Sequence, residues 1–136
     1  MERKIKVVLD TNILISALGF GGKPREIFYL VLEKRIKAVS SPILLAEFDD
    51  VVSKKFPSLS RELDQIHRKF KKNISIVNPE IEVHILQDEP DNRVLEAAVE
   101  GNCKYIITGD KGLLEINKFK KISIVTPIEF LSFIKD

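Results

Sequence analysis

The chain is poor in the residues that mark many specialised protein classes. It has one cysteine, Cys103, among 136 residues. That excludes an internal disulfide framework and any thiolate-rich zinc site. Glycine and proline contribute six residues each, scattered along the chain, so low-complexity disorder is excluded. No apolar run approaches the roughly 18 residues that a membrane helix needs. After the charged start Met-Glu-Arg-Lys-Ile-Lys, the run Val7 to Leu9 is too short for the core of a signal peptide. Charge of one sign is lacking too: 22 basic residues stand against 20 acidic ones, a formal +2. Neither a polybasic tail nor an acidic disordered chain fits that balance. What is present is apolar: 44% of residues are hydrophobic, enough for one core at this length. The expectation is a soluble, cytoplasmic protein with no membrane partner, folding as a single domain over residues 1–136.

Short apolar runs alternate with longer amphipathic ones. Lys6 to Leu9 reads as a buried strand ended by Asp10-Thr11-Asn12. Ile13 to Leu18 starts a helix that Gly19-Phe20-Gly21-Gly22 halts. A helix follows from Pro24 to Lys34, then a short strand at Ala38-Val39-Ser40. Ser41 and Pro42 are suited to the N-cap and first position of the next helix. Its apolar Leu44, Leu45, Phe48, Val51 and Val52 recur at helical spacing. Arg61 to Lys72 forms an amphipathic helix and Ile74 to Val77 a strand; Ile81 to Gln87 reads equally as loop or short strand. Asp91 to Glu100 is a helix with Gly101 as its stop. Tyr105 to Ile107 and Ile122 to Val125 are strands, and Pro127 opens a terminal helix through Ile134. Strands separated by helices imply crossover connections. The fold class is therefore α/β: three layers, α/β/α, around a central, mostly parallel sheet.

In such sheets ligands gather at the carboxyl ends of the strands. Asp10 ends the first strand, and Asp110 follows the Tyr105 strand. Glu47 and Asp91 lie near the starts of helices that follow strands. Each has an ordinary alternative as a turn residue, a cap or a solvated helix position. Helical periodicity puts Glu47 on one flank of the apolar stripe and Asp49 on the other, and does not choose between them. Four acids on one rim would raise one another's pKa values unless a cation neutralised them. The set holds no His or Cys, and His67 and His84 lie elsewhere in the chain. Hard oxygen ligands suit Mg²⁺ or Mn²⁺ and not Zn²⁺. Carboxylate-held Mg²⁺ or Mn²⁺ in an open cleft serves phosphoryl chemistry. A P-loop is absent, and no Gly-rich dinucleotide fingerprint follows the first strand.

These residues resemble a PIN-domain ribonuclease. The opening Val8-Leu9-Asp10-Thr11-Asn12-Ile13-Leu14 is similar to that family's first strand and turn. Gly21-Gly22-Lys23-Pro24-Arg25-Glu26 and Leu44-Leu45-Ala46-Glu47-Phe48 resemble its VapC-like, toxin–antitoxin subgroup. Asp88-Glu89-Pro90-Asp91-Asn92 and Ile107-Thr108-Gly109-Asp110 resemble the remaining two motifs. The resemblance runs from about Ile5 to Leu131 and implies that Asp10, Glu47, Asp91 and Asp110 form the catalytic and metal-binding quartet. It thereby favours Glu47 over Asp49. Asn12 and Thr108 match polar positions that orient ligands or the scissile phosphate. Gly112 departs from the pattern, standing where many relatives carry another acid. The implied function is metal-dependent hydrolysis of RNA, with an antitoxin protein as a partner.

Charge distribution bears on the same reading. Residues 53–73 hold seven basic residues against two acidic, whereas residues 79–100 hold seven acidic against one basic. A basic arm beside an acidic rim suits a phosphodiester substrate. A phosphatase of the Asp-x-Asp type is disfavoured because Asn12, not an acid, stands two past Asp10. The alternative is a non-catalytic RNA-binding or assembly subunit. Apolar residues at Ile13–Leu18, Phe28-Tyr29-Leu30 and Phe130/Phe133 exceed what the core should absorb, and with the PIN resemblance they predict a homodimer.

Overall fold

The computed structural model describes residues 4–134. The strands are β1 (Ile5–Leu9), β2 (Ile36–Ser40), β3 (Ile74–Ile76), β4 (Tyr105–Ile107), β5 (Lys118–Phe119) and β6 (Ile122–Val125). The helices are α1 (Thr11–Gly19), α2 (Gly22–Leu32), α3 (Pro42–Lys55), α4 (Arg61–Lys72), α5 (Glu89–Glu100), α6 (Lys111–Ile116) and α7 (Pro127–Ile134). Six strands form one sheet in the order β3-β2-β1-β4-β6-β5. All neighbours pair parallel except β5, which returns antiparallel on β6. From β1 the chain builds outward through β2 and β3. It then crosses back and builds the other way from β4. The gap between the carboxyl ends of β1 and β4 is thus a switch point, where an open α/β sheet leaves a crevice.

Alternation along the strands makes two cores. Val7 and Leu9 face a layer holding residues of α1, α2, α4 and α7, including fully buried Phe28, Phe70 and Phe130. Val8, Val39 and Ile106 face α5 and α6 through Leu95, Ala98 and Leu113. Helix α3 belongs to both layers. Its first turn gives Leu44 to the α5 side, while Phe48 and Val52 pack on the α1 side. It touches both α1 and α5. Ser41 caps it, its hydroxyl accepting from the Leu44 N–H at 3.5 Å.

Several expectations need correction. Helix α5 begins at Glu89 rather than Asp91, with Asp88 at the N-cap. Gly101 does stop α5, but its φ is −82°, so no left-handed turn requires glycine there. A Cβ at that position would stand 2.7 Å from Val39 Cγ1; close approach to β2 is the reason. Residues 81–87, which read equally as loop or short strand, are loop. Side chains of α5 satisfy their backbone instead. The buried Asn92 amide accepts from the Leu86 N–H at 3.0 Å and donates to its carbonyl at 2.9 Å. Glu96 accepts from the Val83 N–H at 2.8 Å. The apolar surplus is also smaller than expected. Ile13, Leu14, Ile15, Leu18, Phe28 and Phe130 are buried, while Tyr29 and Phe133 stay exposed. Among the described residues no helix is long and apolar enough to cross a membrane.

Candidate functional site

Asp10 leaves β1 at the switch point. Its N–H donates to the Ile107 carbonyl of β4 at 3.0 Å, and its own carbonyl accepts the first N–H groups of α1. It occupies the N-cap of α1, yet its side chain makes no capping hydrogen bond. The carboxylate turns instead toward β4. Thr108, fully buried, donates to Asp10 Oδ2 at 2.7 Å. The same hydroxyl accepts from the Asp110 N–H at 3.0 Å. One threonine therefore ties together two acids that lie 100 residues apart in sequence. Asp110 is fixed a second time, because its Oδ2 caps α6 by accepting from the Leu113 N–H at 3.0 Å.

Asp91 comes from the opposite layer. It lies inside the first turn of α5, where its N–H donates to the Asp88 carbonyl at 3.1 Å, so it is not the cap. Asp10 and Asp91 keep only 6% and 9% of their surface. Burial, followed by the charges of Asp110, Asp88 and Asp10, pushes the Asp91 carboxyl up to about 7. Burial also raises the Asp10 carboxyl, opposed by hydrogen bonds from Thr108 and the Thr11 backbone and assisted by the charges of Asp110 and Glu47. Glu47, half-buried on α3, is therefore near enough to act on Asp10.

The other acids of α3 have different employment. Asp49 holds Lys71 of α4 at 2.8 Å, and Asp50 holds Lys54 at 3.0 Å. The structure thus separates Glu47 from Asp49, which periodicity left equivalent. Asn12 is exposed in the first turn of α1. A Cβ on Gly112 would stand 3.1 Å from Asp110 Oδ2, so any side chain there would press on that carboxylate. Sequence reasoning missed Asp88, a fifth acid acting on Asp91, and the roles of Asn92 and Glu96. The latter two lie one helical turn apart, and a polar pair on a buried line of a helix was their available signal.

The donor set is uniformly hard oxygen. Four of its acids come from four different elements, and among the described residues no basic side chain contributes to the shifts of Asp10 and Asp91. Arg93, the one base of that segment, is held at 2.9 Å by Glu96. Among the described residues no three Asp, Glu, His or Cys side chains stand as a ready-made cage for one ion. Mg²⁺ makes few direct carboxylate bonds and keeps several waters, so acids that reach an ion partly through water fit it. Cys103 offers no alternative chemistry: burial pushes its thiol up to about 12.

A doubly wound α/β fold with carboxylates gathered at its switch point defines the class of protein. Comparison with known proteins supplies the family. The sequence profile of the PIN domain matches residues 6–112. The chain belongs to the PIN-domain family, a family of nucleases. An uncharacterized protein of Methanocaldococcus jannaschii is 35% identical over 96% of this chain and 93% of its own length. Among solved structures, VapBC2 from Rickettsia felis, bound to a DNA fragment from its promoter, aligns with a TM-score of 0.58. That alignment has 17% identity and covers 90% of this chain and 98% of the other. PAE2754 from Pyrobaculum aerophilum aligns with a TM-score of 0.59 at 14% identity, covering 96% and 88%. These two likenesses concern the fold.

Proposed function

We propose that this protein is a metal-dependent endoribonuclease hydrolysing RNA phosphodiester bonds. The observation that carries the reading is the gathering of Asp10, Glu47, Asp91 and Asp110: burial, then the charges of Asp110, Asp88 and Asp10, push the Asp91 carboxyl up to about 7, and burial, assisted by Asp110 and Glu47, raises that of Asp10. Those four residues would hold Mg²⁺ or Mn²⁺, and the ion would supply an activated water and neutralise charge on the leaving oxygen. Thr108 sets the spacing of Asp10 and Asp110 and so acts as a positioning residue. Asn12 offers an exposed amide to a phosphate oxygen. Neither histidine stands among the four acids, since His67 lies on α4 and His84 in the segment before α5.

The same reading makes the protein the toxin of a toxin–antitoxin pair, by its likeness to VapBC2. A homodimer belongs to it as well; Tyr29, Ile128 and Phe133 are the exposed apolar residues of α2 and α7 that such an interface would cover. Cleavage of single-stranded RNA by wild type and Asp10→Asn, with Mn²⁺, Mg²⁺ or chelator, is the test. The wild type should cut only with metal and the variant not at all. Metal-free cutting, or full activity in the variant, would overturn the reading. RNA binding without cutting would favour a non-catalytic subunit.

A further inference from the structure

The amino ends of the same strands carry the opposite charge. A cleft of about 290 Å³ is lined by Lys4, Lys34, Lys37, Lys72 and Asn73 with apolar Val31, Ile36 and Ile74. A second, of about 680 Å³, is lined by Lys4, Ile5, Lys6, Lys37, Asn102 and Lys104. The two share Lys4 and Lys37 and are therefore adjacent. Among the described residues no carboxylate lines either one.

Register shows how three of these lysines are arranged. Lys6 pairs directly with Lys37 across β1 and β2. The Lys104 N–H donates to the Lys6 carbonyl at 2.9 Å from the other side. Each lysine stands two residues before a side chain of the α5-facing core, namely Val8, Val39 and Ile106. Alternation therefore puts Lys37, Lys6 and Lys104 on one face, side by side and exposed. Strand spacing makes the row about 10 Å wide. Like charges directly opposite on neighbouring strands destabilise a sheet. The chain keeps three in a row with no acid among them.

We propose that this row, with the clefts around it, is a second nucleic-acid site that grips the phosphodiester backbone of a single-stranded RNA. Lysine is a flexible point charge suited to phosphate and carries no base readout. The exposed large apolar residues, such as Phe20, Ile43 and Ile85, lie outside the clefts. Bases thus have nothing to stack on, and binding is blind to sequence and steep in salt. A concave surface lined by lysines also suits a nucleic-acid strand better than a flat lipid headgroup layer. The site lies at the far end of the sheet from the acids and does not require them to be catalytic.

Fluorescence anisotropy of a labelled poly(U) RNA, with the full chain in EDTA, tests it across about 50 to about 200 mM salt. The variant Lys6→Gln/Lys37→Gln/Lys104→Gln should bind about tenfold more weakly, with the slope of log K against log salt shallower by about 2 for three lost phosphate contacts. Lys6→Arg/Lys37→Arg/Lys104→Arg should bind like wild type, which separates charge from folding. Lys23→Gln, remote from both clefts and outside the basic arm of residues 53–73, should leave the slope unchanged. Wild-type slope in the first variant overturns the proposal, and so does an equal loss in the remote variant. Binding to phosphatidylserine vesicles without binding to RNA also overturns it, in favour of a membrane.

Discussion

The two ends of this sheet pose one electrostatic problem and answer it differently. At the carboxyl ends, Asp10 and Asp91 are buried beside other acids. Burial keeps water from relieving their repulsion, and the Asp91 carboxyl is pushed up to about 7. At the amino ends, Lys6, Lys37 and Lys104 stand in solvent. Their repulsion is screened within a Debye length of about 8–10 Å at ordinary ionic strength. Burial alone separates the two cases. The acidic end should respond to pH and to divalent cations, the basic end to salt and to polyanions.

The largest effect expected is on chemistry at the acidic end. Asp10→Asn or Asp91→Asn should lower Mn²⁺-dependent RNA cleavage by more than about 10²-fold, measured as initial rates. Next comes stability. The Asp91 carboxyl is raised from 3.8 unfolded to about 7 folded. The folded state then binds more protons through that window. The contribution of Asp91 is fully present below about pH 4 and is lost as pH rises through about 7. In chelator, Asp91→Asn should melt several degrees above wild type at pH 8, and the gap should close toward pH 4. Mn²⁺ should stabilise wild type at pH 8 by mass action and leave the variant little changed. A wild type indifferent to both pH and Mn²⁺ would dissolve the contrast between the ends.

A smaller effect sharpens the connection between β1 and β4. Thr108→Val removes the hydroxyl that serves Asp10 and the Asp110 N–H together. Unfolding in urea should show a loss of about 1–3 kcal/mol, the cost of a buried polar group left unpaired. Cleavage should fall as well, by about 10–100-fold. Smallest is the effect at the basic end. Lys37→Glu sets an acid opposite Lys6. It should stabilise the fold by about 0.2–1 kcal/mol at low salt, and the gain should shrink as salt rises. A gain that persists unchanged at high salt would mean the lysines are not screened as argued.

Local chemistry made part of this readable. Ser41-Pro42 announces α3 because cap and first-turn preferences act within a few residues. The acids Asp10 and Asp110 stand out because a strand that ends in a polar turn shows in the sequence as an abrupt change of character. The start of α5 was misplaced because Asp88 and Asp91 are equally good caps in isolation. Residues 81–87 stayed ambiguous because Asn92 and Glu96, not their own neighbours, satisfy their backbone. Helix α6 and strand β5 span six and two residues, too short for periodicity to reveal.

The sequence by itself determined the alternation of strands and helices, the family motifs and the uniformly oxygen character of the acids. Those are properties of residue types and of spacings shorter than one element. Only the tertiary structure decided that Glu47 acts on Asp10 while Asp49 serves Lys71, because that depends on α3 crossing from one core to the other. Likewise, only strand order brought Lys37, Lys6 and Lys104 into one row. They are far apart in the chain, and the register of β2, β1 and β4 makes them neighbours. Sheet pairing joins residues without regard to their sequence separation, so charge that looks dispersed along the chain becomes two opposite poles when it folds.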